Sequence, residues 1–467
     1  MIVSTSTMPK QLLFTILLSL YAVSLFAQQD SRPNIILILT DDQRWDALGY
    51  AGNDIIHTPH MDSLAQQGVY FKNAFVTTPI CMASRASIMT GLYERTHQHT
   101  FFAPPLQQEY VNISYPKLMK DAGYRTGLFG KFGMSFENQL DTLVFDEFYN
   151  TGTNGYFRLQ GYGAKDIVHL TDLTTDKAID FIQSTPEGKP FCLSLSYNAA
   201  HADDSHPQQF FWPERNDELY QNVEVPREEL HREKYFQQLP DFLQDSLFMG
   251  VYRYQWRFDT PEKYQRMVKG HYRLISTIDD NLGRLRKFLD TQGIADNTII
   301  IFLGDNGYFL GERGLAGKWL MYENSLRVPL IVYDPSATNA RTVEDMALNI
   351  DIAPTLLDYA GVTIPRQMQG KSLRGFTRGK VTDWRTDFLC EHLYDRPWIP
   401  KSEGIRTKEW KYFRYMDHPE TEELYHLTED PLELVNLIDD PSYQKRVAVY
   451  RQILDEKIAN LTAERVQ

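Results

Sequence analysis

Asn34-Ile35-Ile36-Leu37-Ile38-Leu39-Thr40 is a continuous apolar run. A strand with this composition is covered on both faces, like a central strand of a parallel sheet. The pattern recurs over 191–197, 298–303 and 330–332, and in shorter form over 70–76 and 123–131. Between these runs the period changes. Residues 63–67, 117–122 and 173–183 read as helices, the first stopped by Gly68. A long amphipathic helix is expected over 261–290, with Tyr272, Ile275, Ile278, Asp279 and Leu282 on one face. Buried strands alternating with helices predict an α/β fold. Beyond 375–380, which reads as a linker, strands are expected over 388–393, 404–407, 410–415 and 423–430, then a helix over 443–459. These predict a small antiparallel sheet with one helix. The expected division is an α/β domain over 28–375 and a C-terminal α+β subdomain over 376–467. Residues 134–166 read as irregular, and 203–262 as a long polar and aromatic excursion over a cleft.

The length of 467 residues suits a large α/β domain plus a smaller one. A net charge of −13 with no long basic run argues against nucleic-acid binding. An anionic ligand must then be drawn by local positive charge. Residues 1–27 read as a signal peptide: Lys10 precedes an apolar stretch over 12–25, and Ala27 is a small residue at the cleavage position, with cutting after Ser24 as the alternative. The apolar stretch is short for a membrane anchor, and no later segment reads as a span. The expectation is export to the periplasm or the exterior, with no membrane span after cleavage. Three cysteines, Cys81, Cys192 and Cys390, do not make a disulfide scaffold. Cys192 reads as a small buried hydrophobe in a strand; a Cys192–Cys390 bridge stays open.

The stretch with most chemistry is Pro79-Ile80-Cys81-Met82-Ala83-Ser84-Arg85. Ser84 is a good N-cap for a helix over 86–93, which would place Cys81 in a turn before a helix N-terminus. Backbone N–H groups there favour a thiolate or a bound anion. Arg85 would offer its fork to a tetrahedral oxyanion or to a modified residue 81. A buried cysteine beside a surface arginine fits the residues as well. Asp41-Asp42 ends the first strand, and Gly304-Asp305-Asn306-Gly307 ends the strand over 298–303. Strand carboxyl ends are where α/β proteins place their sites, and hard oxygen ligands suit Ca²⁺ or Mg²⁺. A helix N-cap pair and a plain turn are the alternatives. Lys131 follows a strand flanked by glycines, a setting for close backbone approach. His201 follows the strand over 191–197, and an imidazole there could protonate a leaving group. Arg313 is a loop arginine.

Cys81-x-Ala83-Ser84-Arg85, followed by Thr90-Gly91-Leu92-Tyr93, resembles the Cys-x-Pro/Ala-x-Arg signature of type I sulfatases in the alkaline phosphatase superfamily, in a form similar to bacterial polysaccharide sulfatases. In that family the cysteine is oxidised to formylglycine by a sulfatase-maturing enzyme. Gly123-Tyr124-Arg125-Thr126-Gly127-Leu128-Phe129-Gly130-Lys131 resembles the family's second signature. Asn198-Ala199-Ala200-His201 resembles its Asn-x-Pro-His segment, and Gly317-Lys318-Trp319 the site of a second sulfate-binding lysine. The resemblance implies an alkaline-phosphatase-like sandwich with a large, mostly parallel central sheet. It implies one Ca²⁺, in preference to Mg²⁺, held by Asp41, Asp42, Asp305, Asn306 and the modified Cys81. A hydrated formylglycine would attack the ester sulfur, with Arg85 holding the diol. Lys131 and Lys318 would balance the sulfuryl charge, and His201 would protonate the departing alcohol. Arg313 and His392 would face the substrate, with Arg396 and Trp398 also on that side. Where many members have a histidine two places after the lysine, this chain has Gly133. Export and an aromatic-rich cleft suit a sulfated carbohydrate. The alternatives are a phosphodiesterase or phosphonate monoester hydrolase of the same superfamily, and a non-catalytic glycan-binding protein.

Overall fold

The computed structural model describes residues 32–139, 141–152, 155–159, 167–337, 340–381 and 383–465. The expected signal peptide, residues 1–27, lies outside them. Eight strands form the central sheet: β1 Asn34–Thr40, β2 Val69–Phe71, β3 Arg125–Gly130, β4 Glu147–Asn150, β5 Phe191–Ser196, β6 Thr298–Gly304, β7 Leu330–Tyr333 and β8 Arg341–Val343. Their spatial order is β8-β2-β7-β6-β1-β5-β3-β4. β1 lies at the middle, parallel to both β5 and β6. β7 alone runs against its neighbours.

The pleat of β1 explains its unbroken apolar sequence. Ile36 and Ile38 enter one core, and Ile35, Leu37 and Leu39 enter the other. The first core is roofed by helices α1 Pro59–Gln67, α4 Leu170–Gln183 and α5 Pro261–Thr291. The second is covered by α2 Cys81–Thr90, α3 Tyr115–Asp121 and α6 Ile352–Ala360. α5 buries Tyr272, Ile275, Ile278, Asp279 and Leu282, the face expected from its pattern.

Four antiparallel strands follow: β9 Asp387–His392, β10 Ser402–Thr407, β11 Trp410–Tyr415 and β12 His418–His426. Helix α7, Gln444–Arg465, packs on β10 and β11. Phe388, Leu389, Ile405 and Tyr412 belong to the same apolar cluster as Ile35 and Leu37, so the small sheet shares a core with the large one.

Several boundaries shift. β12 begins before the expected 423–430 because its outer half is polar and exposed, a pattern that carries no apolar signal. The stretch expected as a linker over 375–380 contains the short helix Arg374–Thr377, held by Phe376 packed edge-on against Phe71 and Trp384. Strand and helix occur within 134–166, as β4 and Asp141–Val144. All three cysteines are free. Among the described residues no helix is long and apolar enough to cross a membrane.

Candidate active site

The carboxyl ends of β1, β3, β5 and β6 converge, and each delivers the side chains that follow it. Asp41 and Asp42 leave β1, Lys131 leaves β3, His201 lies past β5, and Asp305 and Asn306 leave β6. Asp42 takes a left-handed backbone conformation with φ of 58°. This turn lets its amide N–H donate to Asp305 Oδ1 at 3.2 Å. At the end of β3, a Cβ on Gly130 would lie 1.8 Å from the Ser196 carbonyl oxygen, and its φ is 112°. Only glycine lets β3 and β5 close to that distance and bring Lys131 into the site.

Cys81 enters from the other side of the sheet. It is the first residue of α2, with Ile80 as an extended N-cap. This corrects the expected cap at Ser84 and the expected helix over 86–93. Ser84 lies within the first turn, where its hydroxyl accepts a hydrogen bond from Asn349 Nδ2 at 3.0 Å. All ten residues of α2 are buried, so packing starts the helix where no side-chain cap marks it. Gly91, left-handed with φ of 70°, ends it.

Arg85, one turn into α2, ties the strand ends together. Its Nε donates to Asp305 Oδ2 at 2.8 Å, and one terminal nitrogen donates to the Lys131 carbonyl at 2.7 Å and to Ser196 Oγ at 2.6 Å. Its other terminal nitrogen has no hydrogen-bond partner among the described residues and stands 4.0 Å from Asp41 Oδ2. Lys131 Nζ pairs with Asp41, and Lys318 Nζ with Asp42. Asn306 Nδ2 donates to Asp42 Oδ1 at 2.7 Å. His201 Nε2 is 3.7 Å from Asp42 Oδ2, and its Nδ1 lies 2.6 Å from the Ala202 carbonyl. That contact requires a proton on Nδ1.

Three carboxylates thus face three cations in a buried space. Burial alone would raise Asp41 and Asp42; Lys131 in the first case and Lys318 in the second override it, and both carboxyls are held below the usual range. Burial and the neighbouring Asp41 push Asp305 the other way, up to about 6, in spite of Arg85. Both lysines are raised by these acids against the effect of burial. Burial lowers His201, with Asp42 and Asp41 opposing. Asp41, Asp42 and His201 offer atoms within 4.8 Å of one another, a cluster that could bind a metal. Asp41 Oδ1 and Asn306 Oδ1 are buried without a hydrogen-bond partner among the described residues. Orphaned oxygens beside an acid with a raised pKa fit a hard cation, which would ligate the first and ionise the second.

Cys81, Lys131, His201 and Lys318 all line one cleft of about 410 Å³. Apolar and aromatic side chains close it, including Phe102, Trp319 and Trp398, and Arg253, Asp204 and Arg396 supply charge. Arg313 and His392 are not among its lining residues. Arg313 is buried, its guanidinium 4.4 Å over the Tyr322 ring and donating to the carbonyls of Leu432 and Glu433. It ties the 312–314 turn to the C-terminal segment, beside a separate cleft of about 780 Å³. His392 is fully buried at the end of β9, where burial lowers it to about 3. Gly133 has φ of 66°, and a Cβ there would lie 3.0 Å from Arg85 Cδ, so the backbone at this position suits glycine. Sequence reasoning passed over Ser196, Asp204 and Arg253. Ser196 carries no signal in an apolar strand, and the last two sit in a charged excursion where many acids and bases look alike.

Comparison with known proteins identifies the family. Residues 33–362 match the sulfatase family, and residues 311–462 match the family described as N-sulphoglucosamine sulphohydrolase, C-terminal. An N-acetylglucosamine-6-O-sulfatase of Bacteroides thetaiotaomicron is 30% identical, over 95% of this chain and 90% of its own length. An arylsulfatase of Clostridium perfringens is 27% identical, over 91% and 94%. A solved structure in complex with its substrate D-glucosamine-2-N,6-O-disulfate superposes with a TM-score of 0.77 at 26% identity, covering 92% of this chain and 98% of that one. A phosphonate monoester hydrolase of Agrobacterium radiobacter shares the fold, with a TM-score of 0.76 at 22% identity over 93% and 96%. The chain that brings a cysteine, two lysines and an acidic cluster to these strand ends belongs to the sulfatase family and is a hydrolase of sulfate esters.

Proposed function

We propose that this sulfatase removes sulfate from a sulfated carbohydrate, using formylglycine made from Cys81 and one calcium ion held by Asp41, Asp42, Asp305 and Asn306. The observation that carries the reading is the shared cleft: Cys81, both lysines and His201 face one space, and the lysines and His201 stand against the acidic cluster. The all-oxygen donor set favours calcium over softer ions. When bound, the cation would supply positive charge to the oxygen of residue 81 and to the sulfuryl oxygens. Hydrated formylglycine would supply two hydroxyls on one carbon, one to attack sulfur and one to expel sulfate. Arg85 orients the site from behind, through Asp305 and the Lys131 carbonyl. Lys131 and Lys318 balance charge on the sulfuryl oxygens as it grows. His201, with Nδ1–H committed to the Ala202 carbonyl, presents Nε2 to the leaving oxygen; as the imidazolium, which Asp42 and Asp41 favour, it gives its Nε2 proton to the departing alcohol.

A carbohydrate fits the aromatic rim, where Phe102 is 61% and Trp398 43% exposed, offering faces for a sugar ring. The relative that acts as an N-acetylglucosamine-6-O-sulfatase and the structure holding a disulfated glucosamine point the same way. Arg396 borders the cleft; Arg313 and His392, expected at the substrate, lie outside its lining and are not proposed to contact it. Residues 1–27 would direct export, and the maturing enzyme would be a partner before or during it.

The test is sulfate release from a panel of sulfated oligosaccharides. Turnover of members of the panel is expected. Activity confined to aryl or choline esters, or faster hydrolysis of phosphate diesters than of any sulfate ester, would reject this substrate class and favour the phosphonate-hydrolase reading that the shared fold allows.

A further inference from the structure

Three residues past His201, the chain places a carboxylate in the cleft and fixes it with two arginines. Arg257 donates to Asp204 Oδ1 and Arg253 to Asp204 Oδ2. Arg257 is 0% exposed and is itself held by Gln209 and the Tyr308 hydroxyl. The Arg253 guanidinium lies 5.1 Å from the centre of the Trp319 ring, beside Lys318. The Asp204 side chain keeps 35% of its surface exposed, on the cleft. The two arginines hold it ionised against its burial.

A carboxylate oxygen accepts more than one hydrogen bond, so Asp204 retains acceptor capacity toward the cleft after both arginines are counted. Arg253 spends one arm of its fork on Asp204. Side by side, the two present a fixed acceptor and a fixed donor on the wall that also carries His201. That combination matches neutral hydroxyl groups, which give a proton to one partner and take one from the other. An aryl ring has nothing to exchange with either.

We propose that Asp204 and Arg253 read a free ring hydroxyl of the sugar that carries the sulfate, which makes this enzyme selective for pyranose sulfates unsubstituted at that hydroxyl. The inference rests on the carbohydrate reading above. The experiment uses matured enzyme and compares kcat/KM for a pyranose monosulfate, its analogues each lacking one ring hydroxyl, and 4-nitrophenyl sulfate. Asp204→Asn and Arg253→Gln should each lower the ratio of pyranose to aryl turnover roughly tenfold to a hundredfold, the scale of a hydrogen bond to a charged group. One of the deoxy analogues should lower it similarly in the parent enzyme and add little further loss in the variants. An unchanged ratio in both variants would overturn the proposal and leave the pair as an anchor for the excursion. A parent enzyme that releases sulfate from no pyranose would instead reject the carbohydrate reading itself.

Discussion

Gly130 positions the site through the absence of one methyl group. A Cβ there would meet a backbone oxygen at 1.8 Å in a conformation that side chains disfavour. Gly130→Ala should cost at least about 3 kcal/mol. It should also displace Lys131, so a lower urea midpoint and lost turnover are expected together. Lys318→Met keeps the aliphatic stem and removes the charge beside Asp42. Turnover of 4-nitrophenyl sulfate should fall about 10²- to 10³-fold in kcat, the usual cost of removing one group that stabilises developing negative charge. A change under about threefold would remove Lys318 from the charge-balancing set. At this scale much was legible. Asp41, Asp42, Asp305, Asn306, Lys131 and His201 sit after apolar strands, where strand polarity forces them to one edge of the sheet. Arg313 misled because a loop arginine between glycines reads the same whether it faces a ligand or, as here, two backbone carbonyls.

Helix starts were the least legible elements. α2 begins at Cys81 because Ile80 arrives extended and all ten helical residues are buried, and neither fact is visible locally. α4 begins with an unusual cap: His169 Nδ1 accepts from the Thr171 amide at 3.2 Å, while Nε2 contacts the Phe211 carbonyl at 2.8 Å. The first contact needs a neutral ring and the second a proton on Nε2, and burial lowers the pKa to about 4. The folded value lies below the unfolded value near 6.5. The unfolded chain therefore takes up the proton first, and the cap's stability is full above about pH 6.5 and lost as pH falls toward 4. The slope is at most about 1.4 kcal/mol per pH unit. Compared with His169→Asn, a cap that does not titrate, the parent should lose urea resistance selectively between pH 6.5 and 4. A difference independent of pH would mean that the ring is not held neutral. The long strands and α5 were legible because their patterns span many residues; β12 was not, since half of it faces water.

Across the whole molecule, the sheet gathers charges that would be untenable apart. Three acids, two lysines and an arginine lie buried within one edge, and the orphaned oxygens of Asp41 and Asn306 could take a cation. Chelation should abolish turnover and lower the melting temperature, and calcium should restore both, because a ligand bound only by the folded state stabilises it. Full activity and an unchanged melting temperature after exhaustive chelation would contradict the calcium assignment. The C-terminal sheet was legible as an antiparallel unit, but its core, shared with β1 through Leu389 and Ile405, was not, since long-range packing leaves no local pattern. Every step proposed for the site depends on conversion of Cys81 to the aldehyde. The direct measurement is the mass of tryptic peptide 73–85 from protein made in its native host. The expected peptide is lighter by the difference between a thiol-bearing methylene and an aldehyde. An intact thiol in catalytically active protein would contradict that dependence.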